Sequence, residues 1–123
     1  MDEILTTTAQ PSDATVPLPQ RDETVRCSAC THTITHNRAA IEVDGSHEHT
    51  FRNPAGYSFH VLCFSEAPGC LTTGVPTSEA SWFRGFQWCY SLCAACHQHL
   101  GWRYLSTQRS FEGLIATRLL RPR

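Results

Sequence analysis

The spacing of apolar residues along the chain predicts short strands joined by turns. Between residues 57 and 63 an apolar side chain falls at every second position, which is the period of a half-buried strand. Residues 40–51 predict a hairpin, because Asp44-Gly45 between two apolar segments suits a type I′ turn. Asn53–Gly56 predicts a second turn, and residues 100–106 predict a further strand. The pattern therefore indicates a mainly β, antiparallel domain.

Three further segments complete the predicted elements. Residues 70–73 are predicted to be loop, because Pro68-Gly69 precedes them and Gly74-Val75-Pro76 follows. Residues 83–86 predict a tight turn. The apolar residues of segment 110–120 match helical spacing, but a final strand is equally compatible, so both interpretations stay open.

Composition sets the domain boundaries and the expected compartment. The first twenty residues combine Thr, Ser and Ala with three prolines, and they have too little apolar surface to offset the entropy of ordering. We therefore expect a disordered tail over residues 1–20 and one domain over residues 21–123. The amino terminus has no apolar signal region, and no stretch approaches the ~20 apolar residues of a membrane span. These features indicate a soluble, cytoplasmic protein without a membrane partner.

Charge excludes two classes of function. The net charge is −1 and no run of basic residues is present, so no nucleic-acid partner is expected. The chain contains no lysine at all, which excludes any mechanism with a lysine nucleophile.

Four of the seven cysteines have the spacing of metal ligands. They form two C-x-x-C pairs, Cys27 with Cys30 and Cys93 with Cys96. Two such turns can complete a closed tetrahedral site, for which Zn²⁺ is the expected structural ion, and iron in a rubredoxin-like site is the alternative. Disulfides or a thioredoxin-like redox pair are the competing interpretations. We expect the three other cysteines to be small buried residues and two histidines to lie near the metal: Cys63, Cys70 and Cys89, and His97 and His99.

Residues 81–104 contain all three tryptophans together with the second cysteine pair. In a small β domain tryptophans ordinarily belong to the core. Here Trp82 and Trp88 flank a turn with Gly85, and Trp102 follows the cysteine pair, so the three rings are expected to meet at the rim of a sheet. A pocket walled by three indole rings suits a cation or a flat neutral ring with amide edges. Composition leaves both ligand classes open.

Five motifs resemble those of a known family. Residues 81–104 contain, in register, Ser81-Trp82-Phe83-x-Gly85-Phe86-x-Trp88, Cys93-x-x-Cys96 and Gly101-Trp102-x-Tyr104, and the upstream motifs are Cys27-x-x-Cys30 and Asn53-Pro54-x-Gly56-Tyr57. Together they resemble the CULT domain, the thalidomide-binding domain of the cereblon family, over about residues 25–120. The resemblance implies a β-tent, in which two antiparallel sheets meet at roughly a right angle and are pinned by one zinc ion. In length the chain is similar to the bacterial stand-alone members.

The resemblance also implies a binding site. Trp82, Trp88 and Trp102 would form three walls of a pocket with Tyr104 at its base, and Asn53 would lie beside the ligand. The loop residues Ala80 and Ser81 would complete the site, with the Ala80 carbonyl accepting from an imide N–H and the Trp82 amide donating to an imide carbonyl. The family's ligands are the glutarimide ring of thalidomide-type drugs, uracil-like rings and the C-terminal cyclic imides of damaged proteins. Animal members have histidine at the position of Ala80 and phenylalanine at that of Tyr104.

These features favour a non-catalytic module that binds a small cyclic imide or uracil-like ring. A thiol-dependent enzyme using Cys89 and an aromatic cage for quaternary ammonium groups are the alternatives. No ubiquitin-ligase adaptor is expected as a partner, since the adaptor-binding domain of the animal proteins has no counterpart in this sequence.

Overall fold

The computed structural model of the protein describes residues 23–122, and the predicted tail over residues 1–20 lies outside them. Nine strands are found within this range, together with 3-10 helices at Asn37–Ala39 and Ala116–Arg118. The strands are β1 (Thr24–Cys27), β2 (Thr33–His36), β3 (Glu48–Arg52), β4 (Ser58–Phe64), β5 (Cys70–Thr77), β6 (Gln87–Cys93), β7 (His99–Leu105), β8 (Ser110–Ile115) and β9 (Leu119–Leu120). No described helix is long and apolar enough to cross a membrane.

The strands form two antiparallel sheets. The smaller has three strands in the order β9-β1-β2, and the larger has six in the order β3-β4-β8-β7-β6-β5. The prediction of a mainly β domain with two antiparallel sheets is therefore confirmed. The open choice for residues 110–120 is resolved as strand β8, a 3-10 turn and the short strand β9. Its apolar residues matched helical spacing because β8 lies inside the large sheet, where five of its six residues are buried on one face or the other.

Strand β4 forms as the alternation predicts, but it is buried on both faces. Val61 to Phe64 are all buried, because each face of the sheet packs on its own apolar cluster. Leu62 and Phe64 join the cluster that also receives residues of the small sheet. Val61 and Cys63 join the cluster that holds the aromatic residues of the large sheet.

The prediction of a loop at residues 70–73 is wrong, because these residues begin β5. This strand lies at the edge of the large sheet and pairs with β6, and its register shifts between Thr73 and Thr77. The irregularity holds Gly74, Val75 and Pro76, the residues that made the segment resemble a loop. An edge strand tolerates proline and glycine at such a bulge, since one side of the strand needs no partner.

The predicted hairpin over residues 40–51 is correct only in its turn. Asp44 and Gly45 both adopt positive φ angles, 52° and 84°, as a type I′ turn requires. Residues 40–43 do not form a strand against β3, however. Ala40 forms a β-bridge with Phe64 and the Ile41 amide donates to the Cys63 carbonyl. This segment therefore lies beside the C-terminal end of β4.

Gly69 connects the two sheets. Its amide donates to the Ile34 carbonyl of β2 at 2.9 Å, and its carbonyl accepts from the Ala94 amide at 2.9 Å. A Cβ atom at this position would overlap the carbonyl oxygen of Thr33. The close approach of the two backbones therefore requires glycine.

A buried ionic network ties three strands of the large sheet. The Glu112 carboxylate on β8 accepts hydrogen bonds from Ser91 Oγ on β6 and from Arg103 Nε on β7, both at 2.6 Å. Burial raises the pKa of Glu112 against the opposing effects of the Ser91 hydrogen bond and the Arg103 charge. The pair lies on the opposite sheet face to Trp102, because Arg103 and Trp102 are consecutive in β7.

We predict that Gly69→Ala lowers the free energy of unfolding by about 3 kcal/mol, because the sheets must separate to admit the methyl group. Gly56→Ala is the control, since open space surrounds that position and only its positive φ of 92° is penalised, at roughly 1 kcal/mol. Urea unfolding of both variants measures the difference. Equal losses of unfolding free energy in the two variants would contradict the conclusion that the close approach of the two backbones requires glycine at position 69.

We predict that Arg103→Met lowers the free energy of unfolding by about 2–3 kcal/mol. This loss is at the low end for a broken buried ion pair, because the arginine is partly exposed. The loss should be larger at pH 8 than at pH 5.5. The pKa of Glu112 is already raised in the folded protein, and it rises further when the Arg103 cation is removed. The free energy of unfolding therefore falls as the pH increases above the pKa that Glu112 has in the unfolded chain.

The double variant Arg103→Met, Glu112→Leu is the control for this network. It should recover most of the stability and lose the added pH dependence, since no carboxylate is then left buried without a partner. Urea unfolding at the two pH values measures both effects. A pH-independent loss in the single variant would show that Glu112 does not titrate in the folded protein.

Candidate metal centre and aromatic cavity

The four cysteines of the two C-x-x-C pairs meet in one cluster. All four Sγ atoms lie within 4.8 Å of one another, with Cys27 3.7 Å from Cys96 and Cys30 3.6 Å from Cys93. Four thiolates bound tetrahedrally to an ion at about 2.3 Å are separated by about 3.8 Å. The arrangement therefore fits a tetrahedral metal ion such as Zn²⁺, and the prediction that these cysteines form a metal-binding cluster is confirmed.

The two cysteine turns have the same backbone geometry. The Thr31 amide donates to the Cys27 carbonyl and the His97 amide to the Cys93 carbonyl, each at 2.8 Å. Thr31 and His97 adopt positive φ angles of 66° and 67°. Such a turn directs backbone amides at sulfur. At Cys93 burial would raise the thiol pKa, but hydrogen bonds from the amides of Cys96 and Ala95, together with those of the Cys30 and Cys96 thiols, lower the pKa to about 7.

The other three cysteines lack a thiolate-stabilising environment. Cys63 and Cys89 are buried, as expected, and Cys70 is half-buried. Burial raises the pKa of Cys89, and it raises those of Cys63 and Cys70 to about 12. A reactive cysteine needs a lowered pKa and access to solvent. The environment of Cys89 therefore argues against the thiol-enzyme hypothesis.

A cavity of about 510 Å³ opens on the face of the large sheet that carries the tryptophans. Six of the seven residues that the sequence assigned to ligand binding line it: Asn53, Ala80, Trp82, Trp88, Trp102 and Tyr104. Ser81 does not line it. The structure places Ser81 in the adjoining turn, where its Oγ donates to the Phe83 carbonyl at 3.1 Å.

The pairing of β6 with β7 builds most of the cavity wall. Trp88 lies opposite Tyr104 and Tyr90 lies opposite Trp102, and alternation along each strand turns all four rings to one face. Trp82 comes from the preceding loop and stands perpendicular to Trp102, with ring centroids 4.9 Å apart. The three tryptophans thus border a cavity, as predicted, although Trp102 is also part of the core cluster on this face.

Two indole groups are held in place by backbone carbonyls. Trp88 Nε1 donates to the Glu79 carbonyl at 2.8 Å, and Trp82 Nε1 donates to the Arg52 carbonyl at 3.3 Å. Trp82 also stacks on Phe51 with ring centroids 4.9 Å apart. These contacts fix the orientation of both rings before any ligand binds.

The loop between β5 and β6 presents two backbone groups without a partner. It turns at Ser78–Ser81, where the Ser81 amide donates to the Ser78 carbonyl, and Ala80 adopts a left-handed φ of 54°. Within residues 23–122 neither the Ala80 carbonyl nor the Trp82 amide forms a hydrogen bond. Both residues line the cavity, so an acceptor and a donor are available on one loop.

Asn53 lines the cavity from the predicted turn. Its Oδ1 accepts from the Tyr57 amide at 2.8 Å, and the backbone amide of Asn53 donates to the Tyr57 carbonyl, also at 2.8 Å. The side-chain oxygen therefore stabilises the turn, and the NH₂ group of Asn53 forms no hydrogen bond with another described residue.

Sequence reasoning missed five lining residues: Pro54, Phe59, Glu79, Tyr90 and His99. Tyr90 could have been found, because it lies two residues after Trp88 in the same strand. His99 was expected beside the metal. The structure instead places its ring between Tyr90 and Trp102, at centroid distances of 5.4 and 5.1 Å.

The His99 imidazole is a neutral part of the cavity wall. His99 Nε2 donates to the Gly101 carbonyl at 2.8 Å. Burial lowers the pKa of His99 despite this hydrogen bond, and the nearby Arg118 guanidinium lowers it further. The imidazole is therefore neutral at pH 7, and Glu79 is the one acidic residue among those that line the cavity.

Sequence comparison finds relatives that share one name. The chain is 31% identical over 101 residues to a protein from Drosophila erecta named protein cereblon, an alignment that covers 74% of the chain. It is 47% identical over 74 residues to the protein cereblon of Drosophila melanogaster and 34% identical over 73 residues to that of Gallus gallus, which cover 53% and 55% of the chain. These alignments span only 12–17% of the relatives' own lengths. No family model matches the chain.

We predict that Cys96→Ser abolishes stoichiometric metal binding and lowers the free energy of unfolding by several kcal/mol, roughly 3 or more, because the cluster links β1 to the β6–β7 turn. Cys70→Ser is the control, since this half-buried cysteine lies outside the cluster. Elemental analysis and thermal unfolding measure the two effects. A Cys96→Ser protein that kept one ion per chain would contradict the assignment.

Proposed function

The chain is a cereblon-type domain, and on that premise we propose that its aromatic cavity binds small cyclic imides and uracil-like rings without catalysing a reaction. The observation that carries the proposal is the combination of three tryptophan walls with a carbonyl at Ala80 and an amide at Trp82 that have no partner among residues 23–122. A cyclic imide offers the complementary edge, with an N–H donor between two carbonyl acceptors. Whole-protein activities of the much longer relatives are not part of the proposal.

The size and polarity of the cavity support a flat neutral ring. Perpendicular indoles at Trp82 and Trp102 give two apolar walls that a saturated or aromatic six-membered ring can contact at once. A glutarimide has eight non-hydrogen atoms, and the smallest ligands reach at most about 1.5 kcal/mol per atom. Micromolar affinity, about −8 kcal/mol, is therefore within reach of such a ring when its amide edge is also satisfied.

A quaternary ammonium ligand fits this cavity less well. Aromatic cages for cations gain from an anionic neighbour, and the one acidic lining residue, Glu79, lies on the exposed loop. A cation would also leave the Ala80 and Trp82 backbone groups without a hydrogen bond. The neutral His99 wall adds no negative charge.

We further propose that the cysteine cluster holds one structural zinc ion. Four thiolates complete a tetrahedral site and leave no coordination position for a substrate, so the ion would stabilise the fold and take no part in chemistry. Seven free cysteines suit a reducing compartment such as the cytoplasm. The ligand is the only partner proposed, with no nucleic acid, membrane or ubiquitin-ligase adaptor.

A tryptophan fluorescence titration tests the proposed ligand class. We expect saturable changes with glutarimide and with uracil and none with N-methylglutarimide, because the methyl group removes the imide N–H that the Ala80 carbonyl would accept. Choline serves as the cationic competitor. Binding of choline in preference to both rings, or equal binding of the N-methylated ring, would contradict the proposal.

Variants locate the binding site. Trp102→Ala should weaken glutarimide binding at least about a hundredfold, since it removes a wall worth roughly 3 kcal/mol or more, while the metal content stays unchanged. Tyr57→Ala is the control, because this ring is 68% exposed and lies outside the cavity. Because Trp102→Ala also removes fluorescence, calorimetry measures both affinities. Unchanged affinity in Trp102→Ala would place the ligand elsewhere.

A further inference from the structure

Two contacts define the tautomer of His99, which lines the cavity. Its Nε2 lies 2.8 Å from the Gly101 carbonyl oxygen, and its Nδ1 lies 3.4 Å from Nη1 of Arg118. A carbonyl can only accept a hydrogen bond and a guanidinium can only donate one. The proton of the neutral ring therefore belongs on Nε2 and the lone pair on Nδ1. Both contacts select the same neutral form of the imidazole.

Arg118 is held beside His99 by its backbone and by its side chain. Its carbonyl accepts from the Ser28 amide at 3.0 Å, in the first cysteine turn. The Nη1 atom that meets the imidazole also donates to the His99 carbonyl at 2.8 Å, and the guanidinium lies 5.9 Å from the ring centroid of Phe59. Arg118 is not among the residues that line the cavity. It therefore contacts two lining residues, His99 and Phe59, without lining the cavity itself.

The position of Arg118 opposes protonation of His99. A second proton could be added only at Nδ1, where it would meet a guanidinium that has no lone pair and carries a like charge. Burial and the Arg118 charge both lower the pKa of His99, against the Gly101 hydrogen bond. Among the described residues, Tyr90 is the other titratable group packed on the ring, and Glu79 is the acidic group that lines the same cavity. Of these groups only Arg118 is a cation.

We propose that Arg118 is a positioning residue that holds His99 in its neutral Nε2–H form, so that the cavity wall stays uncharged in mildly acidic solution. The consequence for binding rests on the proposed function, in which the ligand is a neutral ring. An imidazolium covered by such a ring would lose its hydration, and this loss would weaken binding. Without Arg118, ligand affinity should therefore fall as the pH is lowered.

Nitrogen-15 NMR of the imidazole rings tests the tautomer without any ligand. The His99 signals are identified by their absence in His99→Gln. In the wild-type protein we expect a protonated Nε2 and an unprotonated Nδ1, unchanged from pH 8 to pH 5.5. In Arg118→Met the ring should take up a proton within this range, because the opposing cation is gone.

The wild-type spectrum decides the tautomer even if Arg118→Met does not fold. An Nδ1–H tautomer, or protonation of His99 above pH 5.5 in the wild-type protein, would overturn the inference. The same pH behaviour of His99 in the wild type and in Arg118→Met would overturn it as well.

Calorimetric titration of glutarimide at pH 8 and pH 5.5 tests the consequence for binding. The wild-type affinity should be the same at both pH values. The affinity of Arg118→Met should be about threefold to tenfold lower at pH 5.5, because only the fraction with a neutral His99 binds. Arg109→Met is the matched control. Its guanidinium also lies near two aromatic rings, those of Phe86 and Phe111 at 5.8 and 5.6 Å, but it does not line the cavity.

The outcomes separate this inference from the proposed function. Equal glutarimide affinities at the two pH values in Arg118→Met would overturn the role of Arg118 and leave the imide site intact. The same pH dependence in Arg109→Met would also overturn it, since the effect would not be specific to His99. If glutarimide does not bind the wild-type protein, the proposed function fails together with the binding consequence, whereas the NMR spectra still decide the role of Arg118 at His99.

Discussion

The antiparallel pairing of β6 with β7 is the interaction on which the rest of the structure depends. One end of this hairpin is the turn that carries Cys93 and Cys96, and its inward face carries the cross-strand pairs of Trp88 with Tyr104 and Tyr90 with Trp102. The cysteine cluster and the cavity are therefore built on one rigid unit. A shift of the register by one residue would turn the two rings of one strand to the other face of the sheet and separate them from the two rings of its neighbour.

The two faces of the large sheet have different roles. One face packs against the small sheet and also buries the Glu112 carboxylate with Ser91 and Arg103, which fixes β6, β7 and β8 relative to one another. The other face carries the aromatic cluster that ends in the cavity. A buried carboxylate is tolerated only when its hydrogen bonds are satisfied, so the polar network restricts how the strands beneath the tryptophans can be arranged.

The cavity is organised before a ligand enters it. Carbonyl groups orient the indoles of Trp82 and Trp88, Phe51 stacks on Trp82, and His99 packs edge-on against Trp102. A small ring has little surface and gains little binding free energy from it. A site for such a ring therefore benefits when its side chains are already ordered, because no binding free energy is lost in ordering them. Among the described residues the Ala80 carbonyl and the Trp82 amide have no hydrogen-bond partner, and both residues line the cavity.

The sequence by itself determined the β class, the cluster of four cysteines and the three tryptophans of the cavity, because cysteine spacing, strand alternation and turn residues are local signals. It could not determine the fate of residues 110–120 or of Cys70–Thr77, since helical spacing is mimicked by a strand buried on both faces, and Gly-Pro segments are tolerated at a sheet edge. Only the tertiary structure brought His99 into the cavity wall. Its ring packs against Tyr90 of the neighbouring strand, and such contacts between strands are not encoded in any local pattern.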